Sequence, residues 1–215
     1  MKLEFPKIYP ITDTSLSTLS LPEQVAEMAA GGAVLIQLRE KHASARQFFD
    51  SARKALHVAQ ANGVRLIIND RVDIAMALNA DGVHLGQHDL SPVHARRLLG
   101  EEAIIGYSTH SLSQAMEAVK LPIDYLAFGP IFPTSTKEDP DPVVGLKVLA
   151  DVKEIAGTLP LIAIGGIDET NLAAVFAAGA DSAAVIRTVL ADRDGIEQKV
   201  RSLLSIAAGH QASNV

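Results

Sequence analysis

Short apolar, β-branched runs alternate with Ala- and Leu-rich stretches of helical period along the whole chain, and this alternation restricts the fold more than any other feature. Strands are predicted over 7–11, 34–38, 66–69, 82–85, 104–108, 125–128, 161–164 and 182–186. Helices are predicted over 21–30, 44–61, 72–78, 92–99, 111–119, 145–156, 168–178 and 195–206. A run such as Leu161-Ile162-Ala163-Ile164 is apolar without alternation, as parallel strands covered on both faces require. Ser91-Pro92 reads as an N-cap followed by proline at the first helical position, and Gly31-Gly32, Asn62-Gly63 and Ala178-Gly179 stand where helices should stop. Eight βα units in 215 residues predict an α/β protein of one domain, a compact (β/α)8 TIM barrel; an open doubly wound sheet is the second choice. Residues 207–215 read as a frayed tail.

Composition narrows the function. With 48% hydrophobic and 20% charged residues, the chain can bury a sizeable core. A net charge of -6 argues against general attraction to nucleic acid or anionic membranes, so any anion site must be a local concentration of cations. The absence of cysteine excludes disulfides, thiol nucleophiles, thiolate zinc sites and iron–sulfur clusters. The first twelve residues are too polar and proline-broken for a signal peptide, and no apolar run approaches the ~18 residues of a membrane span. A cytoplasmic protein acting on small molecules is expected. Barrel helices form homo-oligomer interfaces without an obvious signature, so the oligomeric state stays open.

In such a barrel, chemistry collects at the C-terminal ends of the strands. After the second strand, Gln37-Leu38-Arg39-Glu40-Lys41 puts Gln37, Arg39 and Lys41 on one face of an extended chain. A guanidinium beside an ammonium suits a diphosphate, whose charge is spread over many oxygens; the alternative is a solvated strand end. The third strand ends in Asn69-Asp70, and the fourth leads through Gly82-Val83-His84-Leu85-Gly86 to Asp89. Two carboxylates on adjacent strands fit Mg²⁺, which takes oxygen ligands and keeps several waters. Asp70 as a helix cap and Asp89 as a turn residue are the competing readings.

The fifth strand gives Gly106-Tyr107-Ser108-Thr109-His110, with Ser108 and His110 on one face. Ser108 reads as a substrate hydrogen-bonding hydroxyl rather than a nucleophile, because no elbow motif or oxyanion hole accompanies it. His84 and His110 are candidate general bases or packed histidines. The longest loop, Gly129-Pro130-Ile131-Phe132-Pro133-Thr134-Ser135-Thr136-Lys137-Glu138, is rich in hydroxyls and ends in a cation, as a substrate loop would. Gly165-Gly166 and Ile186-Arg187 fall where many barrels hold a phosphate through backbone N–H groups.

Read together, Gln37 to Lys41, Asn69-Asp70-Arg71, Gly82 to Asp89, Gly106 to His110, Gly129 to Lys137 and Ile164-Gly165-Gly166-Ile167 resemble the thiamine-phosphate synthase family over nearly the whole barrel. That family joins a hydroxymethylpyrimidine diphosphate to a thiazole phosphate and releases diphosphate with Mg²⁺. The resemblance implies that Gln37, Leu38, Arg39, Glu40, Lys41, Asn69, Ser108 and Lys137 hold the pyrimidine diphosphate, with Arg39, Lys41, Ser108 and Lys137 the catalytic set. It implies Asp70 and Asp89 as the Mg²⁺ ligands, and Thr134, Ser135, Thr136, Gly166, Ile186 and Arg187 at the thiazole phosphate. Arg187 is a departure, since some relatives carry serine there. The nearest rival is the related thiazole tautomerase, an isomerase of similar barrel that needs neither a diphosphate site nor paired metal ligands. A barrel enzyme of phosphosugars and a silent phosphate-binding module are more distant readings. Thr12, Asp13 and His84 also sit at strand ends, as support for the site.

Overall fold

The β-branched runs form eight parallel strands: β1 (Ile8–Pro10), β2 (Leu35–Leu38), β3 (Arg65–Asn69), β4 (Gly82–Leu85), β5 (Ile104–Thr109), β6 (Tyr125–Phe128), β7 (Leu161–Ile164) and β8 (Ser182–Val185). The computed structural model describes residues 5–136, 141–191 and 195–212. The hydrogen-bonded order β1-β8-β7-β6-β5-β4-β3-β2 is closed by the bridge between Ile11 and Gln37, where the Thr12 N–H donates to the Gln37 carbonyl at 3.0 Å. The sheet is thus a barrel and not the open doubly wound sheet.

Helices α1 (Leu21–Ala30), α2 (Ala45–Ala61), α3 (Val72–Leu78), α4 (Pro92–Leu99), α5 (Leu112–Ala118), α6 (Gly145–Ala156) and α7 (Leu172–Ala177) each follow a strand. Local chemistry sets their starts: Ser44 and Ser111 accept the Gln47 and Gln114 amides at the heads of α2 and α5, and Pro92 opens α4 behind Ser91. Helix α7 starts later than the predicted residue 168, because the Asp168 carboxylate is taken up in a turn with the Thr170 amide and hydroxyl, at 2.8 and 2.6 Å.

Two elements depart further from expectation. A short helix, α8 (Arg187–Leu190), follows β8 at once, and α9 (Ile196–Ala212) runs on into the predicted frayed tail. The helix carries past residue 206 because the apolar stripe reaches Ala207, which is 1% exposed in the same cluster as Val200 and Leu203.

The period of two along each strand divides the buried residues into two cores. Ile36, Leu38, Leu66, Ile68, Val83, Leu85, Ile105 and Leu126 point outward and pack with the helices. Tyr9, Ile11, Leu35, Ile67, Ile104, Tyr125, Ala127, Ile162 and Ala184 fill the barrel. At the N-terminal ends, Asp81, Asp124 and Asp181 accept the Leu66, Ile105 and Leu161 amides at 2.7–2.8 Å. Arg96 and Lys153 neutralise Asp124 and Asp181 at 2.7 and 2.6 Å, so that face is tied together structurally. Among the described residues no helix is long and apolar enough to cross a membrane.

Candidate active site

The opposite mouth is a polar cavity of about 1660 Å³. Strand β2 delivers its odd-numbered residues there. Gln37 is 3% exposed and donates through Nε2 to the Tyr9 hydroxyl at 3.3 Å. Arg39 follows, its guanidinium paired with the buried Asp13 carboxylate and its amide donating to Thr12 Oγ1 at 2.9 Å. Lys41 pairs with Asp70. The intervening residues go elsewhere: Leu38 is fully buried against the helices, and Glu40 binds the Thr14 hydroxyl and the His42 and Ala43 amides. Neither side chain lines the cavity, because both lie on the other face of the same alternation.

The carboxylates come from the next two strands. Asn69 ends β3 with 8% exposure, and Asp70 turns the chain at φ 63°, its amide donating to the His84 carbonyl at 2.8 Å. Asp70 does not cap α3, whose N-cap is Arg71. Asp89 does close a turn, accepting the Gly86 amide at 2.7 Å, yet it lines the same cavity as Asp70. Burial pushes the Asp89 carboxyl up; the Gly86 amide opposes this, and the neighbouring Asp70 pushes it higher still. Two half-hidden carboxylates that repel one another are what a cation relieves. Two carboxylate side chains would leave coordination places for water and substrate oxygens, a donor set that fits Mg²⁺.

Strand β5 adds Ser108, whose Oγ lies 2.8 Å from His84 Nε2, while Gln87 Nε2 donates to the Ser108 carbonyl at 2.6 Å. His110 holds the start of the long loop through Nδ1, 2.6 Å from the Gly129 carbonyl, with Asp141 3.5 Å from Nε2. Thr134, Ser135, Thr136, Gly166, Ile186 and Arg187 all line the cavity on its far side. The Gly166 carbonyl is held by Asn171 at 2.9 Å, and Arg187 reaches the Ser135 carbonyl at 3.4 Å. Lys137 lies outside the described residues. The other predicted side chains are thus brought to one mouth, Leu38 and Glu40 excepted. Asp13 as the partner of Arg39, and Gln87 as the tie to β5, had no local signal, since each contact spans more than twenty residues.

A profile of the thiamine monophosphate synthase family matches residues 8–189. A thiamine-phosphate synthase of Chloroflexus aurantiacus is 43% identical over 203 residues, 93% of each chain. The chain belongs to the thiamine-phosphate synthase family. A second member, from Clostridium novyi, is 44% identical over 201 residues, covering 93% of this chain and 98% of that one. Among solved structures, the thiamine phosphate pyrophosphorylase from Pyrococcus furiosus aligns with a TM-score of 0.85 at 35% identity, over 95% of this chain and 96% of that chain. The thiamine-phosphate synthases are transferases, and the barrel is the fold of that family.

Proposed function

We propose that this chain, working as a single barrel domain, condenses 4-amino-2-methyl-5-(diphosphooxymethyl)pyrimidine with thiazole phosphate to give thiamine phosphate and diphosphate. The observation that carries this reading is the convergence, in one cavity, of the β2 cations with the Asp70–Asp89 pair across from a hydroxyl-lined phosphate wall.

The leaving group is the chemical problem. As the bond from the pyrimidine methylene to oxygen breaks, its electron pair stays with diphosphate and the electron-rich aminopyrimidine carries the positive charge. Arg39 and Lys41 meet the growing anionic charge, Arg39 with its fork already oriented by Asp13. Lys41 would exchange Asp70 for diphosphate oxygens. Asp70 and Asp89 would hold Mg²⁺, which supplies further charge neutralisation to the diphosphate. Gln37, Asn69 and Ser108 hold the pyrimidine. Thr134, Ser135, Thr136, Gly166 and the backbone at Ile186 and Arg187 hold the thiazole phosphate, so that the thiazole nitrogen faces the methylene carbon. Lys137 completes the diphosphate site in this reading.

Purified protein given both substrates with Mg²⁺ should form thiamine phosphate, and neither substrate alone should be consumed. Isomerisation of a thiazole phosphate without the pyrimidine, and no thiamine phosphate, would replace this reading with the tautomerase.

A further inference from the structure

A chain of buried polar groups crosses the barrel beneath the cavity, and the function above uses only its two ends. Gln37 Nε2 donates to the Tyr9 hydroxyl at 3.3 Å; the Tyr9 and Tyr125 hydroxyls are 3.0 Å apart. The Tyr125 hydroxyl is 2.9 Å from His84 Nδ1, and His84 Nε2 is 2.8 Å from Ser108 Oγ. Tyr9 and Tyr125 are 1% and 0% exposed. Burial pushes both phenols well above the usual tyrosine range, so both remain donors at any working pH.

The direction of the chain follows from its first member. An amide nitrogen only donates, so the Tyr9 oxygen accepts from Gln37 and the Tyr9 proton goes to its other partner, Tyr125. The Tyr125 proton in turn goes to His84 Nδ1. A neutral imidazole that accepts at Nδ1 carries its proton on Nε2, and it donates that proton to Ser108. The Ser108 proton is then directed away from His84, towards the cavity that Ser108 lines. At the other end, the Gln37 nitrogen is committed to Tyr9, which leaves its carbonyl oxygen for the cavity. Strand β5 makes room for the crossing: a Cβ at Gly106 would lie 1.9 Å from Tyr125 Cζ and 2.3 Å from its hydroxyl oxygen.

We propose that Tyr9, Tyr125 and His84 are positioning residues that lock His84 as its Nε2–H tautomer, so that Ser108 offers a proton and Gln37 an acceptor to the aminopyrimidine. An aminopyrimidine presents the complement, ring nitrogens that accept and an amino group that donates. The same tautomer denies Ser108 a general base, which is why a serine beside a histidine does not become a nucleophile here. The assignment to the pyrimidine rests on the function proposed above; the tautomer does not.

The test uses full-length protein labelled with ¹⁵N-histidine, with the His84 signals identified by their loss in His84→Gln and recorded at pH about 8, above the ordinary histidine range. In the wild type, His84 Nε2 should be pyrrole-like and Nδ1 pyridine-like. Tyr125→Phe removes the donor to Nδ1 and should admit the Nδ1–H tautomer. The KM for the pyrimidine diphosphate should rise about tenfold, the effect of one misdirected hydrogen bond. The KM for thiazole phosphate should stay within about twofold, since its site is unconnected. His84→Gln, which keeps an N–H near the Nε2 position, should restore more pyrimidine affinity than His84→Leu. A wild-type His84 protonated on Nδ1 overturns the proposal even if Tyr125→Phe fails to fold. So does a folded Tyr125→Phe whose tautomer and pyrimidine KM match the wild type. Absence of thiamine phosphate with the expected tautomer would instead refute the function and leave the lock standing.

Discussion

Replacing Gly166 by alanine tests the proposed thiazole phosphate wall, because the structure separates two penalties there. Gly166 sits at φ +63°, where a Cβ carries strain of about 1–2 kcal/mol. The added Cβ would also lie 2.5 Å from the Pro133 carbonyl oxygen and 2.8 Å from Phe132 Cβ, and overpacking of this kind costs about 1–3 kcal/mol. Gly63 is the control: its φ is +67° and nothing lies within 4 Å, so Gly63→Ala carries the strain alone. We expect Gly63→Ala to lose about 1 kcal/mol and Gly166→Ala about 3 kcal/mol, or about 6–12 °C in Tm for a chain of this size. Part of the Gly166 clash is relieved by pushing the 132–136 segment outward, which displaces Thr134 and Thr136. The KM for thiazole phosphate should therefore rise at least about tenfold in Gly166→Ala, with that for the pyrimidine diphosphate within about twofold. Thermal unfolding by circular dichroism and steady-state kinetics on both substrates decide it. Equal Tm values for the two variants, with an unchanged thiazole phosphate KM, would refute the reasoning.

Other perturbations follow from the same geometry. Asp13→Ala strands the largely buried Arg39 guanidinium and should cost about 3 kcal/mol by denaturant unfolding, with a raised KM for the pyrimidine diphosphate. Asp89→Asn relieves the repulsion with Asp70, so metal-free stability should hold or rise, whereas the Mg²⁺ concentration for half-maximal activity should increase at least about tenfold. The Tyr9 and Tyr125 hydroxyls are raised in the folded state, so their contribution is intact below the unfolded tyrosine value of about 10 and is lost as pH rises from there towards the folded values. Stability should fall with pH above about 10 more steeply in the wild type than in Tyr9→Phe, measured by denaturant midpoints across that range.

Most of the fold is legible in the sequence because parallel strands and amphipathic helices write different periods. Strands β4, β6 and β7 and helices α1, α3, α4 and α6 have the bounds their patterns predict. Helix α8, of four residues, is too short to show a period, and α9 outlasts its prediction because Ala207, inside the expected tail, is buried with Val200 and Leu203. Within the site, alternation was enough to place Gln37, Arg39 and Lys41 together, and applied strictly it also sends Leu38 and Glu40 away. The pairing of Arg39 with Asp13, and the path from Tyr9 to Tyr125 across 116 residues, are products of barrel closure and leave no local mark.

Diphosphate and thiamine phosphate measured in the same time course, with Mg²⁺ and with the metal chelated, test the central claim most directly. The account predicts equal amounts of the two products with Mg²⁺ and loss of both on chelation. Diphosphate released without thiamine phosphate, or thiamine phosphate formed at an undiminished rate without metal, would contradict it.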